Sequence, residues 1–429
     1  MPGNPLGKTG ETHARVALKG FAVGKAKKKK PKPETDSMDV EEFVKQLPPP
    51  PEEHAFELKM EKRLQQLLGQ SEQLSPEELQ FYSRQIMLDG IGYKGQLALK
   101  NAHICVVGIG GLGSIIATQL TAMGVGHLRL VDRDVVEASN LQRQHLYSFD
   151  VIGFPKVEAA VDRLKRLNPY VELDPFPRAF NEHSADELLA GASVVVDGLD
   201  NMNTRYAVNR ACVKLGIPYV FGSAISTFGN ASTIIPQDTP CLECFYGKLD
   251  DSVLPTCGTI GVHPSIISIV ASIETAETVK LLLGQPPSLA NKLFYGDVST
   301  IRFEEIDLAR IDSCPVCGRR PKTKPPMLKP ALVEEGCGRN NRRVFVITPK
   351  ENLNLNLRTL TRMLQNSGAQ FKVKGRLGVT FKTVEGMLVS VLQSGVMVME
   401  GAASEDGALS YYETLVVDRM QIPWPRIRW

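Results

Sequence analysis

The chain has 429 residues, of which 43% are hydrophobic and 23% charged, the balance of a soluble protein of two or three domains. A net charge of only +3 argues against a general nucleic-acid binder, and no apolar run approaches the roughly 20 residues that span a bilayer. The N-terminus has no apolar signal-peptide core, so the cytoplasm is the expected location, with neither a membrane nor a specific nucleic acid as partner.

Residues 1–60 contain Lys27-Lys28-Lys29-Lys30 and the proline run 48–51, and their composition predicts a disordered basic, Pro-rich tail. An amphipathic helix is predicted from near Glu61 through Leu64, Leu67 and Leu68. Ser75-Pro-Glu-Glu reads as a cap with Pro76 at the first helical position. From His103 the pattern alternates between strand and helix. Strands are predicted over 103–107, 127–131, 193–197, 219–222 and 231–235, and helices over 114–123, 156–167 and 264–283. Apolar strands alternating with helices imply an α/β domain, 61–325, with a mainly parallel sheet flanked by helices. Residues 326–340 read as a linker. Residues 341–429 read as a small α+β domain, with strands over 343–348, 371–373, 379–382, 388–392 and 396–400 and helices over 357–365 and 408–416.

The chemistry-bearing motifs begin with Gly108-Ile-Gly110-Gly111-Leu-Gly113, a G-x-G-x-x-G turn between strand and helix, with Asp132 nineteen residues beyond Gly113. Such a turn brings backbone N–H groups to a phosphate, and a carboxylate about 20 residues on can hold a ribose hydroxyl. That much fits a nicotinamide or flavin site equally well. Arg143 and Lys156 shift the reading toward phosphate chemistry, which needs positive charge where negative charge develops. Asp200-Asn201 follows the third apolar strand, where Asp200 suits Mg²⁺ or else one of the pair caps a helix. Cys241/Cys244 and Cys314/Cys317 are two Cys-x-x-Cys pairs with the spacing of a structural four-thiolate zinc site. Cys257, in a polar Gly-containing stretch, is a nucleophile or a small core residue.

Residues from about 75 to 320 resemble the MoeB/ThiF adenylyltransferases and the adenylation domains of ubiquitin-activating enzymes. The likeness rests on Ser83-Arg84-Gln85-Ile86, the glycine turn, Ser139-Asn140-Leu-Gln-Arg143-Gln144, Lys156, Asp200-Asn201, both cysteine pairs, and Gly261-Val262 ahead of Glu277-Thr-Val-Lys280. The resemblance implies a Rossmann-like adenylation domain using ATP, Mg²⁺ and Zn²⁺. It implies Asp132 as ribose ligand, Asn140, Arg143, Gln144 and Lys156 as the phosphate-facing set, and Asp200 as the magnesium-associated acid. It further implies Arg84 entering the site from the other subunit of a homodimer, and Cys257 taking up the activated protein. The implied partner is a ubiquitin-like or sulfur-carrier protein ending in Gly-Gly, with a conjugating enzyme as a further partner.

Residues 338–429 contain no cysteine, so they hold no active rhodanese-type sulfurtransferase. That tilts the expectation toward ubiquitin-like conjugation over sulfur-carrier activation for molybdopterin, thiamine or thio-tRNA synthesis. An inactive dimerising scaffold, a nicotinamide dehydrogenase and a tRNA-modifying dehydratase are the rivals from other classes.

Overall fold

The computed structural model describes residues 51–69, 73–251, 254, 257–328, 331–337 and 343–428. The chain enters through α1 (Pro51–Leu68), α2 (Pro76–Phe81), α3 (Ser83–Ile86) and α4 (Gly92–Lys100). Ser75 and Glu78 close a reciprocal capping box on α2, with Pro76 in its first turn. Helix α1 begins at Pro51, ten residues ahead of the expected start, so the tail expected over 1–60 is helical from 51 onward. Proline is well placed in a first helical turn, where its missing N–H has no intrahelical partner to lose. The lysine run at 27–30 lies outside the described residues.

The strands and helices that follow are β1 (His103–Val107), α5 (Gly111–Met123), β2 (His127–Val131), α6 (Lys156–Leu167), β3 (Glu172–Phe176), α7 (Ala185–Leu189), β4 (Val194–Asp197), α8 (Met202–Leu215), β5 (Tyr219–Ile225) and β6 (Phe228–Ile234). After them come α9 (Leu242–Tyr246), α10 (Cys257–Ile260), α11 (Pro264–Leu282), β7 (Lys292–Asp297) and β8 (Arg302–Asp307). They form one eight-stranded sheet in the order β3-β2-β1-β4-β5-β6-β7-β8. The first five strands of that order pair in parallel, and β5 to β8 pair antiparallel. Alternate side chains feed opposite faces. Ile104, Val106, Leu128, Leu130 and Val196 pack with α5, α6 and α11, whereas Cys105, Val107, Val195, Tyr219 and Phe221 pack with α7 and α8. Burial on both faces explains why these strands read as nearly unbroken apolar runs.

Strand β3 has no counterpart among the expected elements. Its sequence, Glu-Leu-Asp-Pro-Phe, carries a proline that an interior strand would reject, but β3 lies at the sheet edge, where a missing N–H costs no ladder bond.

A second, antiparallel sheet of six strands has the order β11-β12-β13-β14-β10-β9. Its strands are β9 (Val333–Cys337), β10 (Arg343–Ile347), β11 (Gln370–Lys374), β12 (Gly378–Lys382), β13 (Leu388–Leu392) and β14 (Met397–Glu400). Helices α12 (Leu357–Asn366) and α13 (Glu405–Tyr412) pack on it, the latter running into a π-type turn, Glu413–Arg419. Every strand and helix expected over 341–429 is present. The expected linker, 326–340, is corrected by β9: Val-Glu-Glu-Gly-Cys lacks apolar alternation and is a strand because it pairs antiparallel with β10. Among the described residues, no helix is long and apolar enough to cross a membrane.

Candidate functional site

The carboxyl ends of β1 and β4 meet so closely that only glycine fits there. Gly108 has φ +88°, and a Cβ on either Gly113 or Gly198 would collide with the Gly108 carbonyl oxygen. Gly198 was not singled out from sequence, because the close approach joins segments ninety residues apart. The turn opens α5 through Gly110, which supplies no side-chain cap, and uncapped first amides of a helix are groups that suit an anion. Gly111 sits against Ile267 of α11.

Asp132 locks this turn to the end of β2. One carboxylate oxygen accepts from the Ile109 N–H and the other from the Asp134 N–H, both at 2.7 Å. Burial pushes its pKa up, against the pull of Lys156. A carboxylate has about four acceptor positions, and these two bonds use two of them.

Lys156, the first residue of α6, donates from Nζ to Asp134 Oδ2 at 2.8 Å and from its backbone N–H to the Asp134 carbonyl at 2.9 Å. Burial works against the ammonium, but Asp134, Asp132 and, more weakly, Asp200 outweigh it and hold the lysine above its ordinary value. Burial likewise opposes the Asp134 carboxylate, and Lys156 with Arg133 outweighs it, leaving Asp134 below the usual range. Neither Asp134 nor Arg133 was picked out from sequence, although both directly follow Asp132 in Asp-Arg-Asp.

Gln144 is buried beside the turn, with Nε2 lying 3.7 Å from the place of a Cβ on Gly110, and its Oε1 has no hydrogen-bond partner among the described residues. A buried amide oxygen without a partner carries a desolvation cost that a bound group would offset. Arg143 is half-buried and donates from Nη1 to the Ser139 carbonyl at 3.0 Å. Asn140 Oδ1 accepts from the Glu137 N–H at 3.2 Å, closing the turn that presents this run.

Asp200 is exposed and accepts one long bond, 3.4 Å, from Asn201 Nδ2 among the described residues. Asn201 caps α8, its Oδ1 accepting from the Thr204 N–H at 2.9 Å. Beneath this loop Arg205 pairs with the fully buried Asp197 at 3.1 Å and donates to the Leu199 and Gly222 carbonyls, while Tyr219 donates to the same carboxylate. One exposed acid is what Mg²⁺ commonly takes from a protein before completing its shell with phosphate oxygens and water. Asp200 is compatible with such an ion, as an exposed carboxylate commonly is. Arg84 is exposed on α3, and Phe81, Met87, Leu88 and Tyr93, near it in the chain, are exposed too. Cys257 opens α10, and its side chain lies outside the described residues.

The four paired cysteines converge. Their Sγ atoms all lie within 4.8 Å of one another, with Cys241–Cys314 at 3.7 Å and Cys244–Cys317 at 3.3 Å. Four thiolates about 2.3 Å from one Zn²⁺ would sit about 3.8 Å apart, so the cluster fits zinc. It ties α9 to the segment after β8. Cys105 and Cys212 are core residues of the large sheet, and burial pushes the Cys105 thiol up to about 12.

Residues 82–316 match the family model described as the ThiF family. This chain belongs to the ThiF family. Its relatives include the protein named SAMP-activating enzyme E1 of Haloferax volcanii, 39% identical over 57% of this chain and 91% of the relative. The molybdopterin-synthase adenylyltransferase of Salmonella typhimurium is 38% identical over 58% of this chain and 99% of the relative. The sulfur carrier protein adenylyltransferase of Thermus thermophilus is 39% identical over 57% and 93%. Among solved structures, MccB of E. coli shares the fold at a TM-score of 0.50 and 24% identity, over 57% of this chain and 75% of that one. The family carries the MoeB/ThiF-type adenylyltransferases, as the resemblance implied.

Proposed function

We propose that this chain adenylates the C-terminal carboxylate of a small ubiquitin-like protein of the sulfur-carrier kind, ending in Gly-Gly, at the expense of ATP. The observation that carries the reading is the Asp132–Asp134–Lys156 cluster set against the glycine turn, with the unpartnered Gln144 oxygen beside it. A C-terminal carboxylate has a free pKa of about 3.5 and is already ionised at neutral pH. The reaction therefore needs no general base. One carboxylate oxygen attacks the α-phosphorus of ATP, and the bond to the β-phosphate bridging oxygen breaks to release pyrophosphate.

The residues' task is to bring two anions together and steady the leaving group. Lys156 and Arg143 supply fixed positive charge, Asp132 holds the ribose, and Asp200 would hold Mg²⁺, which neutralises phosphate charge when bound. Intact Arg143, Lys156 and Asp200 favour this enzyme over an inactive scaffold. A homodimer is part of the proposal, supported by the exposed apolar side chains around Arg84 on α2 to α4.

The names of the relatives weigh toward sulfur-carrier activation and away from the ligation favoured on sequence. A second reading keeps the thioester step, in which the Cys257 thiolate displaces AMP from the adenylate and passes the protein to a conjugating enzyme. It is favoured by the relative named as an E1. The test is ATP–pyrophosphate exchange dependent on a Gly-Gly-ended protein. Absence of exchange with every such protein from the same cell overturns the proposal. Loss of a reducible enzyme–partner adduct in Cys257→Ala supports the second reading, and its persistence removes it.

A further inference from the structure

The family match ends at residue 316, ahead of β9, yet the C-terminal sheet reaches back onto the loop that carries the nucleotide-site acids. That loop is a ribbon. The Val136 N–H donates to the Phe154 carbonyl at 2.8 Å and the Gly153 N–H to the Val136 carbonyl at 2.9 Å, while Val135 bridges Pro155. Its inner contacts are those of the site: Asp132 on the Ile109 N–H, and Lys156 on Asp134.

Val136, Val151, Ile152 and Phe154 pack into the core of the large sheet, and further contacts are made by the C-terminal sheet. Arg133, between the two acids, makes a two-pronged ion pair with Glu334 on β9, Nη1 to Oε1 at 2.8 Å and Nη2 to Oε2, and Nη1 also reaches Thr348 Oγ1 at 3.2 Å. Val135 packs on Leu392 and Val396. Thr380 Oγ1 donates to the Gly153 carbonyl at 2.6 Å, and a Cβ on Gly378 would lie 2.8 Å from Pro155. One turn into α6, the buried Glu158 carboxylate accepts from the backbone N–H groups of Arg376 and Leu377 at 2.7 and 2.8 Å.

A domain merely tethered nearby would meet the large sheet through exposed side chains at scattered points. Ser394 Oγ on the Pro177 carbonyl and Arg376 on Asp162 lie elsewhere, but the contacts named above fall on residues next to Asp132, Asp134 and Lys156, and several are to backbone atoms or to a buried carboxylate. Bidentate arginine–carboxylate pairs fix orientation as well as distance. The geometry points to a positioning role: the C-terminal sheet holds the Asp132–Lys156 ribbon in the form that ATP needs, with Glu334 and the Arg376–Leu377 turn as its positioning groups. This rests on the adenylation reading. Neither group touches the nucleotide site itself, so both act through Arg133 and Glu158.

The experiment compares the full-length wild type with Glu334→Gln, Arg133→Gln, their double variant and Glu158→Gln. It measures ATP binding by titration calorimetry and the kinetics of partner-dependent pyrophosphate exchange. The Arg133 and Glu334 side chains are 27% and 44% exposed, so the pair is partly screened. Glu334→Gln and Glu158→Gln should each raise the KM and Kd for ATP about threefold to tenfold while leaving kcat at saturating ATP within about twofold. The double variant should be no worse than Arg133→Gln alone, because the two residues act through one contact. Wild-type KM and Kd for ATP in both single glutamate variants, whatever their melting temperature, overturn the inference. If Glu334→Gln fails to fold, Thr348→Val replaces it, with a smaller rise expected and an unchanged KM counting against the inference. A wild type that binds no ATP at all overturns the adenylation reading instead.

Discussion

Lys156 Nζ lies 2.8 Å from Asp134 Oδ2, with the lysine side chain 7% exposed and the aspartate 48%. The pair joins the start of α6 to the loop after β2 and fixes an ammonium beside the glycine turn. Replacing Lys156 by Met keeps most of the side-chain volume and removes the charge. Pyrophosphate exchange should fall about 10²- to 10³-fold, the usual cost of one charge-stabilising donor. Circular dichroism and melting temperature should show a folded protein.

The same pair sets a pH dependence. Lys156 is held above its ordinary value, so its contribution to stability is complete below the unfolded-chain pKa of about 10.4 and is lost only as pH rises through the higher folded value. Asp134 is held below its ordinary value, so its contribution is present above about pH 3.9 and is lost as pH falls through the lower folded value. Exchange activity should therefore show no loss attributable to Lys156 between pH 7 and about 9.5. A Lys156-dependent decline near pH 8, absent from a charge-retaining Arg variant, would contradict this placement.

The strand–turn–helix from His103 to Met123 was legible because burial on both faces leaves an apolar strand, and the following turn admits only glycine. The cysteine cluster was legible from spacing alone. The strands β3 and β9 were not. Pro175 in β3 and the Glu-Glu-Gly run in β9 are tolerated because both strands lie at sheet edges, and edge position is a property of the assembled sheet. The Arg133–Glu334 pair spans 201 residues, and no local pattern encodes a contact at that distance. The role of Asn201 was open between ligand and cap in the sequence; in the structure it caps α8.

The zinc cluster predicts its own dependence. The purified protein should contain close to one equivalent of zinc by mass spectrometry, and removal with a strong chelator should lower its melting temperature. Cys244→Ser should lose the metal and lower the melting temperature without added chelator. Since the cluster ties α9 to the segment after β8, proteolysis should then open that region before the parallel part of the sheet. A variant that loses zinc with an unchanged melting temperature would show the metal to be dispensable for the fold.

Arg205 and Asp197 form a buried pair beneath the Asp200 loop, with side-chain exposures of 7% and 0%. Removing one partner strands the other charge in the interior. Arg205→Ala should destabilise by about 3–5 kcal/mol in chemical denaturation, the range for breaking a buried pair from one side. It should cost more than Lys214→Ala, whose partner Asp186 is exposed and whose loss should fall within about 1 kcal/mol.

Glu274 on α11 is fully buried, and neither carboxyl oxygen has a hydrogen-bond partner among the described residues. Burial raises its pKa well above the usual range, the nearby Asp197 raises it further, and Arg205 opposes both. In the folded protein it stays protonated where the unfolded chain, with a pKa of about 4.3, has already ionised. Between those two values the folded state binds one more proton than the unfolded state. Stability should therefore fall as pH rises, by about 1.4 kcal/mol per pH unit from this group. Glu274→Gln keeps the shape and cannot ionise, so that component of the slope should vanish. Denaturation curves of wild type and variant at a series of pH values rising from about 4.3 test this. The difference in unfolding free energy between them should widen steadily in favour of the glutamine variant, even if the unpartnered amide makes it the less stable protein at the lowest pH. Parallel dependences over that range would mean that Glu274 is ionised in the folded state and has a partner there.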